Sequence, residues 1–468
     1  VTDNSRARID GAFHFIGIGG AGMSVVAELL AARGARVSGS DRADSEVLAR
    51  LASLGIATAV GHDAANVPED ATVVVSTAIR ETNPELAVAR ERGQEVLHRS
   101  QALALAAAGM RFVGVAGAHG KTTTSGMIAV ALRTAGLDPS VAVGGIVPQF
   151  GSGAHLGSGD VFVAEADESD GSFLNYSPRI EVVTNVEPDH LDRYGTAEAF
   201  EAIFVEYAKR LEYGGLLVCC AEDAGAARLA QSARALGTRV VAYGRPAESV
   251  VSPDLVIDEV EAGPSSTAAT VRLGERSARI SLGLPGLHNI LNAAAAWTTG
   301  VELGVEPTAM AEALSAFTGT ARRFELRGEV DGKRVIDDYA HHPTEVAAAI
   351  AEARIAAEGA PVVVVFQPHL FSRTRFFADR FAQALSAADR VVLADIYAAR
   401  EDPEPGVTSA LIADRVEGAL YIPDMHEAAR TAARECGPNG IVLTMGAGSI
   451  TVCADDVLDE WRSAQGRA

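Results

Sequence analysis

The chain is short of positive charge, of aromatic rings and of cysteine. Its 40 Lys and Arg residues face 61 Asp and Glu, leaving a net charge of −21. A surface that acidic is a poor non-specific partner for nucleic acid or anionic membrane, so neither is expected to bind. Phosphate must then be held by a few local cations, by backbone N–H groups or by metal. No apolar run approaches the ~20 residues of a membrane-spanning helix. Residues 1–10 are polar and carry no signal-peptide core. The cysteines, Cys219, Cys220, Cys436 and Cys453, have no metal-ligand spacing and are too few for a disulfide framework. They read as small buried apolar residues of a soluble, cytoplasmic protein.

Core-forming material is plentiful. Apolar residues make up 48% of the 468 positions, which excludes intrinsic disorder. That length suggests about three domains. Three times an apolar, β-leaning run enters a turn and then a helical stretch: at residues 13–18, 111–116 and 361–366. Further runs at 72–76, 161–164, 181–185, 216–219, 239–243, 390–394 and 440–444 read as buried strands. The fold class is therefore α/β: a Rossmann-like N-terminal part, a central P-loop part and a Rossmann-like C-terminal part. The polar stretch 249–280 predicts a small antiparallel excursion. Domain boundaries are expected to give 1–108, 109–320 and 321–468. Ligands should gather at the carboxyl ends of the strands.

Gly17-Ile18-Gly19-Gly20-Ala21-Gly22 satisfies G-x-G-x-x-G between a strand and a helix. Its glycines let the backbone approach a diphosphate seated on the helix N-terminus. Asp41, at the end of the next strand, stands where an acid holds a ribose hydroxyl. The motif does not choose between a dinucleotide and a nucleotide sugar. A nicotinamide-dependent oxidoreductase remains open on these residues alone.

Gly117-Ala118-His119-Gly120-Lys121-Thr122-Thr123 follows a second strand and opens a second helix. It has the parts of a phosphate loop: backbone N–H groups, a Lys for the β- and γ-phosphates, and a hydroxyl for Mg²⁺. It is shorter than the usual pattern, with Val115 where the first glycine would stand. Glu165, at the end of the run 161–164, is placed for a metal ligand. Asp167, Glu168 and Asp170 stay open between such a role and a solvated loop or cap. His190, beside acids after another strand, is suited to a second metal or to substrate. A nucleotide-dependent switch protein also fits these loops.

Taken in order, the motifs resemble the Mur ligases of peptidoglycan synthesis. The supporting segments include 17–24, 74–85 (VVSTAIRETNPE), 117–124, 165–173 (EADESDGSF), 184–194 (TNVEPDHLDRY), 286–296 (GLHNILNAAAA), 320–325 (TARRFE), 337–345 (DDYAHHPTE), 367–376 (QPHLFSRTRF), 395–406 and 445–450. The resemblance implies a UDP-sugar domain, a central ATPase and a C-terminal domain that closes over the site. It implies ATP-dependent joining of L-alanine to UDP-N-acetylmuramate, with Mg²⁺ bound as two ions. On it, Lys121 contacts ATP phosphates, Thr122 and Glu165 hold one Mg²⁺, and His190 serves the other. Asn289 and Asn292 lie on the adenine side, while Arg323 and Asp338 also reach ATP. His369 and Arg373 grip the amino acid, with Tyr339 and His341 lining the same place. Gly17, Gly19, Gly20, Ala21 and Gly22 take the sugar diphosphate, with Asp41 in the same UDP-sugar site; Ser76, Ala78, His98 and Arg99 face uridine and muramate. The family usually has Thr at Ala118, Ser at Thr77, Ala at Ser100 and Gly at Thr451. A ligase of the same family that attaches a whole murein peptide is the nearest alternative, and a monomer or weak homodimer is expected.

Overall fold

The first apolar run forms β1 (Ala12–Ile16), buried along its whole length. The computed structural model describes residues 9–189, 191–399 and 401–465. After β1 come β2 (Arg36–Asp41), β3 (Ala57–Val60), β4 (Ala71–Val75) and β5 (Val96–His98). They form an all-parallel sheet in the order β3-β2-β1-β4-β5. The chain leaves β1 first to one side and later to the other. A crevice therefore opens beyond the carboxyl ends of β1 and β4.

The second sheet has ten strands: β6 (Arg111–Ala116), β7 (Ser140–Val147), β8 (Ser152–His155), β9 (Val161–Glu165), β10 (Ile180–Val183), β11 (Leu216–Cys220), β12 (Arg239–Gly244), β13 (Leu255–Ala262), β14 (Thr267–Leu273) and β15 (Arg276–Leu282). Their order is β15-β14-β13-β12-β11-β10-β6-β9-β7-β8, parallel from β13 to β7 and antiparallel between β7 and β8. Residues 274 and 275 alone join β14 to β15. That link is too short for a parallel crossover, so this pair is a hairpin, as the polar stretch predicted. Helices Lys121–Thr134 and Leu287–Glu302 pack on one another beside this sheet.

The third sheet contains β16 (Glu325–Val330), β17 (Lys333–Asp338), β18 (Val362–Phe366), β19 (Arg390–Leu393), β20 (Leu420–Tyr421) and β21 (Ile441–Met445), ordered β16-β17-β21-β18-β19-β20. Only β16 runs antiparallel to its neighbour. In β18, Val362, Val364 and Phe366 belong to one apolar cluster and Val363 and Val365 to another. Both faces of the strand are covered, which is why it reads as an unbroken valine run.

These sheets lie in two compact units. The first holds the first and second sheets; the second holds residues 319–468 with the short pieces 262–267 and 283–286. Side-chain bridges show why the first two sheets share a unit. Arg50 pairs with Glu28 at 2.6 Å and donates to Ser152 Oγ at 3.3 Å. A Cβ on Gly153 would lie 3.3 Å from the Val25 side chain. All four cysteines are free and buried.

Two buried acids mark opposite solutions to one problem. Glu85, which is 0% exposed, accepts hydrogen bonds from Ser40 Oγ (2.5 Å), Asn66 Nδ2 (2.7 Å) and Asp63 N (3.1 Å), with His14 Nε2 at 3.4 Å. Burial opposes its charge, but these donors outweigh burial and hold its carboxyl down at about 2. Glu181 in β10 is also 0% exposed, yet neither carboxyl oxygen has a hydrogen-bond partner. Burial pushes its carboxyl well above the usual range. Beside Glu181 in the sheet stands Gly114, where any Cβ would fall 2.3 Å from the Tyr207 hydroxyl.

Candidate active site

The glycine loop grows straight out of β1. Gly17 N and Ile18 N both donate to Ser40 O, at 2.8 and 2.9 Å, which ties the loop to β2. Gly17 sits at φ +79°, a conformation that favours glycine. Helix Ala21–Ala32 then starts at Gly20 with no side-chain cap and no acid in its first turn. Its first N–H groups are an anion seat. Ser76 and Ala78 follow β4 across the crevice, and Ile79 of the same turn reaches to 3.3 Å from where a Gly17 Cβ would be.

Asp41, which the spacing places as a ribose-holding acid, touches the glycine loop itself. Its Oδ2 accepts the Gly19 N–H at 2.9 Å. A carboxylate of the chain itself therefore lies on the glycine loop. A Cβ on Gly19 would come 2.9 Å from that oxygen, so the approach needs glycine.

The second loop is braced from the neighbouring strand tip. Thr184 Oγ1 and Asn185 Nδ2 donate to His119 O at 2.5 and 3.0 Å, and His119 N donates to Asn185 Oδ1 at 3.0 Å. Gly117, at φ +129°, lies so close to Thr184 that a Cβ would sit 2.3 Å from its hydroxyl. The segment 184–185 is thus the support of the phosphate loop. His119 Nε2 is 3.3 Å from Glu187. Asn292, on helix Leu287–Glu302, puts its amide oxygen 3.1 Å from where a Gly120 Cβ would be, and Asn289 lies one turn earlier; both are buried. Thr122 and Thr123 occupy the first turn of helix Lys121–Thr134.

Lys121 does not point into open space. Its Nζ donates to Gly117 O at 2.6 Å and to both Glu168 oxygens at 2.8 and 3.0 Å. Burial disfavours the ammonium, but Glu168 and Asp167 outweigh it and raise the Lys121 pKa. Glu168 is itself 1% exposed, and burial pushes its carboxyl up to about 7 against the pull of Lys121. The other acids of the same loop each hold a cationic or imidazole partner from the start of helix Arg99–Ala106. Asp167 Oδ2 takes Arg99 Nη2 at 3.0 Å, and Asp170 Oδ2 lies 3.3 Å from His98 Nε2. Burial opposes the charge on both acids, but these partners and nearby N–H donors keep both carboxyls below their usual range. Arg99 also lies across the first loop, since a Cβ on Gly22 would fall 2.1 Å from its Nη1. Arg99 thus links the glycine loop to the acidic loop, and His98 holds that acidic loop from the same helix start. Ser100 serves the same joint: its hydroxyl accepts from Asn175 Nδ2 at 2.7 Å and lies 2.8 Å from His98 Nδ1.

Thr122 and Glu165 supply a hydroxyl and a carboxylate, the hard oxygen donors Mg²⁺ prefers. Two glycines of β7 keep room beside them. A Cβ on Gly144 would lie 3.4 Å from Glu165 Oε2, and one on Gly145 would lie 2.9 Å from Thr122 Cγ2. Gly144 N donates to Glu165 Oε1 at 2.9 Å, so this backbone also orients the carboxylate. His190, the residue expected to serve a second metal, lies outside the described residues.

In the second unit the strand tips gather a separate set. Tyr339, His341, His369 and Tyr397 form a chain of rings with centroids 5.3, 5.9 and 5.7 Å apart. Arg373 Nη1 is 3.4 Å from His369 Nδ1. Asp338 accepts the Phe324 and Ala340 N–H groups, each at 2.7 Å. Burial nevertheless pushes its carboxyl up to about 6, with Arg323 pulling the other way. The Arg322 and Arg323 guanidinium groups lie over the Tyr339 ring at 4.8 and 5.1 Å. Backbone strain sits beside these groups: Arg322, Phe324 and Leu370 have φ of +60°, +48° and +70°. Thr451 donates to Asp337 Oδ2 at 2.7 Å, a bond that glycine there would not make.

Reading the chain in one dimension leaves Glu168 open between a metal ligand and a solvated loop or cap, and does not single out Tyr397. Glu168 was one acid among several in a loop; its distinction is burial on Lys121. Tyr397 lies in the segment 395–406 and is marked by its bridge to His369 and by its ring against the same residue.

Comparisons with known proteins fit this geometry. Residues 12–111 match the model for the Mur ligase family, catalytic domain; 115–300 match the Mur ligase middle domain; 322–448 match the Mur ligase, glutamate ligase domain. A UDP-N-acetylmuramate–L-alanine ligase of Kineococcus radiotolerans is 54% identical over 98% of this chain and 99% of its own length. One from Renibacterium salmoninarum is 53% identical over 96% of both chains. The crystal structure of UDP-N-acetylmuramate-alanine ligase from Thermotoga maritima superposes with a TM-score of 0.80 at 30% identity, covering 97% of this chain and 100% of that one.

Proposed function

Because the chain belongs to the Mur ligase family, we propose that it joins L-alanine to the lactyl carboxylate of UDP-N-acetylmuramate, driven by ATP, in the cytoplasmic assembly of peptidoglycan precursors. Residues 1–108 take the UDP-sugar, 109–320 the ATP and 321–468 the amino acid. The observation that carries this reading is the 54% identity to a ligase of that name over nearly the whole of both chains.

A carboxylate is a poor electrophile, so the amide bond does not form directly in water. Transfer of the γ-phosphoryl group to the carboxylate gives an acyl phosphate, which an amine attacks with loss of phosphate. The difficulty is to bring two anions together. Lys121 and the amides of residues 117–122 hold the phosphates and spread the developing charge. Thr122 and Glu165 would hold one Mg²⁺ and His190 would serve a second, and such ions would supply further positive charge at the transferred group. Asn289 and Asn292 position the nucleotide, and Arg323 and Asp338 contact it. The helix start at Gly20 binds the sugar diphosphate, with Arg99 on the uridine and muramate side. Arg373 pairs with the carboxylate of alanine, a planar match of two parallel hydrogen bonds. Tyr339, His341 and His369 line the same place.

The test is direct. The protein is incubated with ATP, Mg²⁺, UDP-N-acetylmuramate and single amino acids or an L-alanyl tripeptide. ADP and the mass of the joined product are then read. Alanine-dependent ADP release with an alanyl adduct is expected. ADP release that ignores the sugar, or joining of the tripeptide in place of alanine, overturns the reading.

A further inference from the structure

Glu168 has a built position and no role in the chemistry above. Its main-chain carbonyl is fixed by the Gly171 N–H at 3.1 Å and by the Tyr194 hydroxyl. Its side chain is 1% exposed and spends both oxygens on Lys121. With Gly117 O as third acceptor, all three N–H bonds of the ammonium are used within the chain. Among the described residues, Lys121 is the one cation hydrogen-bonded to Glu168. Arg99, the next cation along, is engaged by Asp167.

A phosphate reaching Lys121 must therefore displace a buried carboxylate. Alone, the newcomer adds negative charge to a loop that already holds Glu165, Asp167 and Glu168, and it strips Glu168 of its counter-charge, so that this buried carboxyl must take up a proton or stand unpaired. Breaking a buried pair in that way is strongly unfavourable. A divalent cation at Thr122 and Glu165 changes the balance. Held by Glu165 at the end of β9, three residues before Glu168, it would supply the positive charge that Lys121 withdraws.

We propose that Glu168 is a specificity-determining residue of the phosphate loop: seated on Lys121, it admits a polyphosphate only together with a divalent cation and rejects the metal-free form. This rests on the assignment of residues 117–122 as the nucleotide loop. It does not depend on which amine or sugar is used.

Binding of ADP to the full chain, measured by calorimetry with Mg²⁺ and with EDTA, tests it without any ligation step. The wild-type chain is expected to bind ADP at least about 100-fold more weakly in EDTA, the scale of one charged hydrogen-bonded pair. In Glu168→Gln the metal-free affinity rises and that ratio falls to about 10-fold or less. Glu168→Ala, which also removes the charge, must move in the same direction. The proposal is overturned if both variants keep the wild-type ratio, or if the wild-type chain binds ADP equally well in EDTA. Failure of alanine ligation with the expected change in metal dependence would sink the proposed function alone. The reverse pattern would sink only the role of Glu168.

Discussion

Arg99 Nη2 stands 3.0 Å from Asp167 Oδ2, so a residue lying across the glycine loop is held by an acid that neighbours the partner of Lys121. In Asp167→Asn, Arg99 loses its charged partner and its fixed position at the start of helix Ala21–Ala32. The KM for UDP-N-acetylmuramate is expected to rise about 10-fold, the scale of one charge-assisted hydrogen bond. The ATP KM should change less. Steady-state kinetics with each substrate varied in turn decides it, and equal shifts would remove Arg99 from the sugar site.

Lys121→Ala should lower ligation at least about 100-fold, because it deletes a preorganised charge at the transferred phosphoryl group. Circular dichroism and UDP-sugar binding should stay near wild type. Turnover within a few-fold of wild type would end the phosphate-loop assignment.

Arg373, 6% exposed and 3.4 Å from His369, is the residue proposed to pair with the alanine carboxylate. In Arg373→Ala the alanine KM should rise about 10- to 100-fold, as expected for a lost charged hydrogen bond. The ATP KM should hardly move. A matching rise in both constants speaks against an amino-acid role.

The two buried acids give opposite pH signatures. The Glu85 carboxyl is lowered from 4.5 to about 2, so its stabilisation is present above pH 4.5 and is lost as pH falls toward 2. Glu85→Ala should cost about 3 kcal/mol at pH 7, since it breaks a buried network, and less as acid is added. The Glu181 carboxyl is raised above 4.5, so stability is fully present below pH 4.5 and declines as pH rises toward its folded value. Glu181→Met should stabilise the fold at pH 8 by about 1–3 kcal/mol, by removing an unpartnered buried polar group. That gain should shrink toward pH 4. Urea unfolding across this pH range measures both; a Glu181→Met gain independent of pH would refute the assignment.

Reading the sequence reached the two loops and most central strands, because those signals are local. Glycines with φ above zero stand next to the strand they follow, and β18 betrays its double burial by five consecutive apolar residues. Strands without a long apolar run escaped. β3 and β5 have 4 and 3 residues, too few for a pattern to emerge. β16 and β17 alternate with charged residues and show no apolar run. The pairing of charges escaped for another reason. Glu168 finds Lys121 across 47 positions and Arg99 finds Asp167 across 68, and composition near either residue is silent on such partners. Asp41 was located by its spacing, but its bond to Gly19 depends on where the loop turns.

The Asp41–Gly19 contact has a consequence for inhibitor chemistry. A negatively charged compound entering the glycine loop meets a carboxylate already hydrogen-bonded there. A compound with an ammonium or amidinium at that point would recruit Asp41 as its counter-ion and leave the loop amide bonded as it is. Screening such cations against the sugar site would search for blockers that imitate neither UDP nor its diphosphate.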